Sequence, residues 1–105
     1  MTKLYNCSAK CDFNTLQSYN TIVFQQVDNK FYMHAYRSNT TLSHIRKYIK
    51  WLRESGVNYI YSSTVATMYE MLIRNKKTHM VYDGNMGTVE YLGNDRTEAL
   101  NAYNA

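Results

Sequence analysis

The sequence of 105 residues contains no proline and only four glycines. Without proline, a Pro-rich linker is excluded. The glycines are isolated or lie in predicted turns, so the Gly-rich loop that binds phosphates is missing. The H-E-x-x-H and G-x-S-x-G motifs of metalloproteases and hydrolases are missing as well. We therefore expect a protein that is not an enzyme.

Cysteine is scarce, since only Cys7 and Cys11 occur, in the segment CSAKC. This spacing is neither that of a redox motif nor that of a standard zinc knuckle. A metal site with a histidine would need further ligands, and the sequence has no second cysteine pair and no paired-histidine motif. The sequence therefore predicts no metal and no cofactor. A thiolate at Cys7 paired with a distant histidine is the enzymatic alternative.

Long apolar runs are absent too. No segment approaches the length that spans a membrane, and the first ten residues lack the apolar core of a signal peptide. We therefore expect a cytosolic protein without a membrane partner, in which thiols stay reduced. The length predicts one domain over residues 1–105.

Positive charge and tyrosine are what the sequence does contain. There are eleven tyrosines, and the formal net charge is +4. Residues 1–40 carry four basic and two acidic side chains. Residues 41–77 carry seven basic and two acidic side chains, and residues 78–105 carry one basic and four acidic side chains. The positive charge is thus central, where it can attract phosphates or an acidic protein surface.

Residues 38–56 have the pattern of a capped amphipathic helix. Thr40 or Thr41 is the expected N-cap, and Gly56 stands where a left-handed C-terminal cap belongs. The predicted buried stripe, at helical spacing, consists of Leu42, Ile45, Ile49 and Leu52. The cations outside that stripe form a basic outer face that either binds a partner or is simply solvated: Arg46, Lys47, Lys50 and Arg53.

A β-hairpin precedes this helix. Its predicted strands, Thr21–Val27 and Phe31–Arg37, are rich in β-branched and aromatic residues and are joined by a short turn over residues 28–30. Because side chains alternate along a strand, one face of the second strand carries Phe31, Met33 and Ala35, which we assign to the core. The other face carries Tyr32, His34 and Tyr36, which form either a second packed layer or an exposed row that contacts a partner.

The remaining elements follow from the same patterns. We expect an edge strand over residues 3–9 and a loop over residues 12–20. After the basic helix come a strand Val57–Tyr61, a helix Thr64–Lys76 capped by Ser62 or Ser63, a hairpin His79–Tyr82 and Thr88–Leu92, and a last helix Arg96–Tyr103. The order (β)ββ-α-β-α-ββ-(α) predicts an α+β fold, with a mainly antiparallel sheet and two amphipathic helices on one face.

Two helices followed by a hairpin also match the order of a winged-helix protein, in which the second helix reads DNA. The apolar, strand-like linker over residues 57–61 and the two strands that precede the first helix argue against it. Nucleic-acid binding, through a winged helix or through the basic helix alone, therefore stays an alternative.

Part of the chain resembles a family of small uncharacterised phage proteins. The shared features are a Ser-Tyr-x-Thr start to a strand, a turn, and a strand-to-helix junction followed by a helix that ends at glycine. The residues that carry the resemblance, over about residues 16–56, are Ser18, Tyr19, Thr21, Tyr36, Ser38, Thr40, Thr41, His44 and Ile45. The resemblance implies a phage origin and transfers no catalytic residue.

Taken together, these patterns predict a non-enzymatic, phage-derived interaction protein that modulates or inhibits a host or defence factor in the host cytoplasm. A mimic of DNA is disfavoured because the chain is basic. Direct nucleic-acid binding is the alternative, a small enzyme is the third hypothesis, and pairing of two hairpin edges would give a homodimer. The candidate contacts are Arg46, Lys47, Lys50, Arg53, Tyr32, His34 and Tyr36.

Overall fold

In the computed structural model, which describes residues 1–35 and 38–105, seven strands form one antiparallel sheet and three helices pack against it. The strands are β1 (Thr2–Lys3), β2 (Ala9–Cys11), β3 (Thr15–Ser18), β4 (Thr21–Val27), β5 (Lys30–His34), β6 (His79–Asp83) and β7 (Thr88–Gly93). The helices are α1 (Asn39–Glu54), α2 (Tyr59–Asn75) and α3 (Arg96–Asn104). The predicted α+β class and antiparallel sheet are confirmed.

The strands lie in the sheet in the order in which they occur in the chain. The two long helices are inserted between β5 and β6, which nevertheless pair along five residues, from Lys30 opposite Asp83 to His34 opposite His79. The hairpin β6–β7 follows α2, as a wing follows the recognition helix, and it is also part of the seven-stranded sheet through its pairing with β5.

The β4–β5 hairpin is confirmed, with a turn of two residues instead of three. Asp28 and Asn29 both have positive φ, at 52° and 65°, which short polar side chains tolerate better than others. The second strand therefore begins one residue early, at Lys30. The tip of the other hairpin lies against this turn, since Gly84 N donates to Asn29 O at 2.8 Å.

Helix α1 begins earlier than its threonines suggested. Ser38 has extended backbone angles, and its hydroxyl accepts a hydrogen bond from Thr41 N at 3.1 Å. The predicted cap at Thr40 or Thr41 is therefore wrong by two or three residues. At the other end Gly56 has a φ of 77°, so the predicted left-handed C-terminal residue is confirmed.

The predicted strand Val57–Tyr61 is wrong, because helix α2 begins at Tyr59. Asn58 caps this helix, and its side-chain oxygen accepts a hydrogen bond from Ile60 N at 2.7 Å. Ser62 and Ser63, the predicted caps, lie inside the helix. The short run VNYIY has strand-forming residues, but a strong cap at its second position decides the structure.

The core consists of two layers, one on each face of the sheet. Helices α1 and α2 cover the first face and bury all of the predicted stripe except Leu42, which is half-buried. Tyr48 and His44 are buried with that stripe. Helix α3 covers the second face over β5 to β7, where Tyr32, Val81 and Ala99 pack together.

The N-terminal prediction was wrong in detail. The expected edge strand at residues 3–9 is two short strands, β1 and β2, and the expected loop at residues 12–20 contains β3. In β3 the buried Leu16 and Ser18 alternate with the half-buried Thr15 and Gln17. The sequence does not show this alternation as a hydrophobic pattern, because three of the four residues are polar.

Candidate binding surface

The four cations of α1 lie on its exposed side, as predicted. Arg46 Nη1 donates to the hydroxyl of Tyr69 on α2 at 2.9 Å. Lys50 Nζ lies 5.6 Å from the centroid of the Tyr5 ring, within cation–π range. Both contacts are with uncharged groups, so they orient these side chains without neutralising them.

Tyr5 connects the β1–β2 loop to this helix. Its φ is 51°, and its hydroxyl donates a hydrogen bond to the carboxylate of Glu54 in the last turn of α1. That hydrogen bond is the main reason why the pKa of Tyr5 is raised to about 12. The hydroxyl is therefore a stable donor at neutral pH, and it holds the ring beneath Lys50.

Tyr19, in the turn between β3 and β4, is a second exposed tyrosine with positive φ, at 54°. Its backbone is held on both sides, because Tyr19 N donates to Ser8 O at 3.0 Å and Tyr19 O accepts from Gln17 Nε2 at 2.8 Å. Its ring lies 5.7 Å from the ring of His44 on α1. Tyr19 is 60% exposed, although its backbone is held by these hydrogen bonds and its ring contacts His44.

A cleft of about 470 Å³, lined mostly by polar residues, adjoins Tyr19. Lys3 on β1 and Lys10 on β2 line it and are register partners in the sheet. Gln17 and Asn20 add carboxamide groups to its wall. Sequence reasoning missed this cleft, because it depends on the pairing of strands that were predicted as one strand and a loop.

Tyr32 and His34 lie inside the protein, at 4% and 2% exposure. The Tyr32 ring lies 5.7 Å from that of Tyr103 on α3, and the His34 ring stacks on that of His79 with centroids 4.0 Å apart. Of the two alternatives for this strand face, the structure contains the second packed layer. Neither ring can reach a partner while α3 is in place. Tyr36, the third member of the predicted row, lies outside the described residues.

The stacked histidines are held in a neutral state. Burial, and then the neighbouring His79 and Arg96, lower the pKa of His34 to about 4. Burial lowers the pKa of His79 as well, and its Nε2 is buried without a hydrogen-bond partner. Within residues 1–35 and 38–105 there is no group of three or more side chains that could hold a metal ion.

Among the residues that the structure describes, the two thiols and the remaining histidine form no nucleophile–base pair at the surface. Cys7 Sγ donates to Leu4 O at 2.9 Å, and burial raises the pKa of the buried Cys11 to about 11. His44 Nδ1 is 2.7 Å from the Ser18 hydroxyl, a pairing that sequence reasoning missed. Both of these residues are at least 96% buried, so their hydrogen bond joins β3 to α1 rather than facing a substrate.

A second cleft, of about 280 Å³, lies between α2 and the β6–β7 hairpin. Its lining is mostly apolar and includes Met68, Met71 and Val89. At its rim Tyr59 and Ile60 are 79% and 73% exposed. Sequence reasoning missed it because Tyr59 and Ile60 were assigned to a strand.

None of the helices in the described part of the chain is long and apolar enough to cross a membrane. No family model matches the chain, and no curated protein or solved structure matches it either.

Proposed function

We propose that this chain is a non-enzymatic binding protein of phage origin, which acts in the host cytoplasm on a host or defence protein. It docks an acidic surface of that protein onto the exposed basic face of α1. The observation that carries the proposal is the set of four cations on one helix face, of which Arg46 and Lys50 are oriented by uncharged tyrosines.

Rigidity supports a docking role for this helix. Helix α1 is capped at Ser38, ends at the left-handed Gly56 and buries its apolar side against the sheet. A helix held in this way loses little conformational entropy on binding. Arginine is also among the residue types that most often dominate the binding energy of an interface.

Affinity capture with two matched variants tests the proposal. Lys47→Gln with Arg53→Gln removes two charges from the α1 face, and Arg74→Gln with Lys77→Gln removes two charges from the end of α2. Arg53 and Arg74 each lie in the last turn of their helix. Each variant therefore loses one cation that interacts favourably with its helix dipole, so the two variants are matched in this effect on stability. Each variant is used as bait in host lysates treated with nuclease.

We expect the wild type and the α2 variant to retain the same host protein and the α1 variant to lose it. Loss of anchor charges at an interface commonly costs about 2 kcal/mol, or roughly thirtyfold in affinity. Equal retention by both variants would contradict the proposal. Capture that disappears on nuclease treatment would instead favour nucleic acid as the partner.

A further inference from the structure

Two exposed tyrosines with positive φ, Tyr5 and Tyr19, flank α1. A bulky residue other than glycine rarely adopts this conformation, which costs free energy unless the surroundings enforce it. Tyr5 and Tyr19 both do so, and hydrogen bonds hold each of them in place. Strained residues of this kind concentrate at functional sites.

The two tyrosines meet the same flank of α1. His44, Lys47, Lys50 and Glu54 are spaced three or four residues apart, so they form one stripe along the helix. Tyr19 lies against this stripe at His44, and Tyr5 lies against it at Lys50 and Glu54. Ten residues of helix separate the two ends by about 15 Å, with the two lysines between them.

The lysine cleft lies on the other face of the sheet, because Lys10 alternates along β2 with Ala9 and Cys11, which are buried in the core with the residues of α1. Lys3 and Lys10 are directly opposite each other on β1 and β2, and like charges in that position destabilise a sheet. Neither lysine side chain makes a salt bridge within the described residues. An anion bound between them would relieve their repulsion. Tyr19 lines this cleft and its ring also contacts His44 of α1, so the β3–β4 turn connects the cleft to the helix.

We infer that single-stranded nucleic acid binds along α1 and passes over the β3–β4 turn into the lysine cleft, with a base stacked on Tyr19 and phosphates held by Lys47, Lys50, Lys3 and Lys10. Tyr5 acts as a positioning residue, because its ring holds Lys50 in place. Fixed aromatic rings beside a positive groove are the features that bind single strands without sequence preference. A duplex keeps its bases stacked on one another, and an acidic protein surface presents no base to stack on Tyr19. The inference goes beyond the proposed function, because it adds a second class of ligand that would share the cations of α1 with the acidic protein surface.

Fluorescence anisotropy with a labelled oligothymidine of about 20 nucleotides tests the inference, because a strand of that length covers a site of this kind. The variants are Tyr19→Leu, which removes the ring, and Tyr19→Phe, which restores it. Tyr59→Leu is the control, since Tyr59 is also an exposed tyrosine, at 79% exposure, and lies on α2 at the rim of the apolar cleft. Circular dichroism checks that each variant is folded.

We expect Tyr19→Leu to weaken binding by about five- to a hundredfold, the range for loss of one stacked base, and Tyr19→Phe and Tyr59→Leu to bind like the wild type. The slope of log affinity against log salt falls by about 0.7 for each phosphate contact removed. Replacing Lys47 and Lys50 by glutamine therefore lowers the slope by about 1.4.

Three results would overturn the inference: equal effects of Tyr19→Leu and Tyr59→Leu, duplex DNA binding as tightly as the single strand, or polyglutamate competing as well as the oligonucleotide. The proposed function can be tested independently of this inference with the same variant. Tyr19→Leu leaves the charges of α1 unchanged, so a host protein that depends on those charges would still be captured by this variant.

Discussion

The stacked pair His34 and His79 predicts that the protein loses stability in mild acid. Both rings are buried between β5, β6 and α3, and the groups that face them are Arg96, which disfavours their protonation, and Asp95, which favours it at His79. The pKa of His34 is lowered from 6.5 to about 4, so the unfolded chain binds a proton more readily than the folded chain between these values. The stabilisation is complete above pH 6.5, declines as the pH falls and is exhausted below about pH 4.

The size of the stability loss follows from the two pKa values of His34 in the unfolded and folded chain. Each pH unit within it costs up to about 1.4 kcal/mol for one group, so His34 alone accounts for about 2 kcal/mol between about pH 7 and about pH 5. His79 and His44 add to the loss in the same direction, because the pKa of each is lowered by burial. With an m-value of about 1–3 kcal/mol per molar urea, the contribution of His34 shifts the unfolding midpoint by about 1 M.

Urea unfolding of the wild type and of His34→Phe across this pH range measures the effect. Phenylalanine can stack on His79 but cannot take up a proton, so we expect the pH dependence of its unfolding free energy to be smaller by up to one proton. Identical pH slopes for the two proteins would refute the reasoning. So would an NMR titration that places the pKa of His34 in the folded protein near 6.5.

Three further predictions concern stability and reactivity. Gly93→Ala places a Cβ 2.5 Å from the Tyr91 hydroxyl oxygen, so we expect a loss of about 1–3 kcal/mol in thermal unfolding, whereas an unchanged melting temperature would show that Tyr91 moves aside freely. Ser38→Ala removes the α1 cap and should cost about 1 kcal/mol in urea unfolding, with Ser43→Ala as the control that should not. At mildly alkaline pH a thiol reagent should label the half-buried Cys7 and spare Cys11 until the protein unfolds, and equal labelling rates would contradict the burial of Cys11.

The elements that could be predicted are those whose signals are local. The stripe and the C-terminal glycine of α1 are adjacent in sequence and required no knowledge of the rest of the chain. The β4–β5 turn was equally local, because Asp28 and Asn29 tolerate the positive φ that a tight hairpin needs. The start of α2 was predicted wrongly because four residues with strand propensity outweighed a single capping side chain, that of Asn58.

The contacts of Tyr32 and His34 could not be predicted for a different reason. Alternation along β5 correctly separates its two faces, but it does not say whether the second face is covered. That depends on α3, which begins about sixty residues later in the chain and packs against β5, β6 and β7. Long-range packing therefore decides whether an aromatic row on a strand is core or surface.

The candidate surface contains some residues whose position follows from local sequence patterns and others whose position depends on long-range packing. Its cations lie on a helix whose exposed side can be identified from sequence spacing alone. Its aromatic rings come from Tyr5 and Tyr19, which occur in turns that have little pattern of their own and are fixed by hydrogen bonds to Glu54, Ser8 and Gln17. Because β1 to β3 place both turns against α1, loosening these short strands would separate the rings from the lysines while leaving the charge of the helix intact. A role for the helix alone would survive such a change, and a role for the whole flank would not.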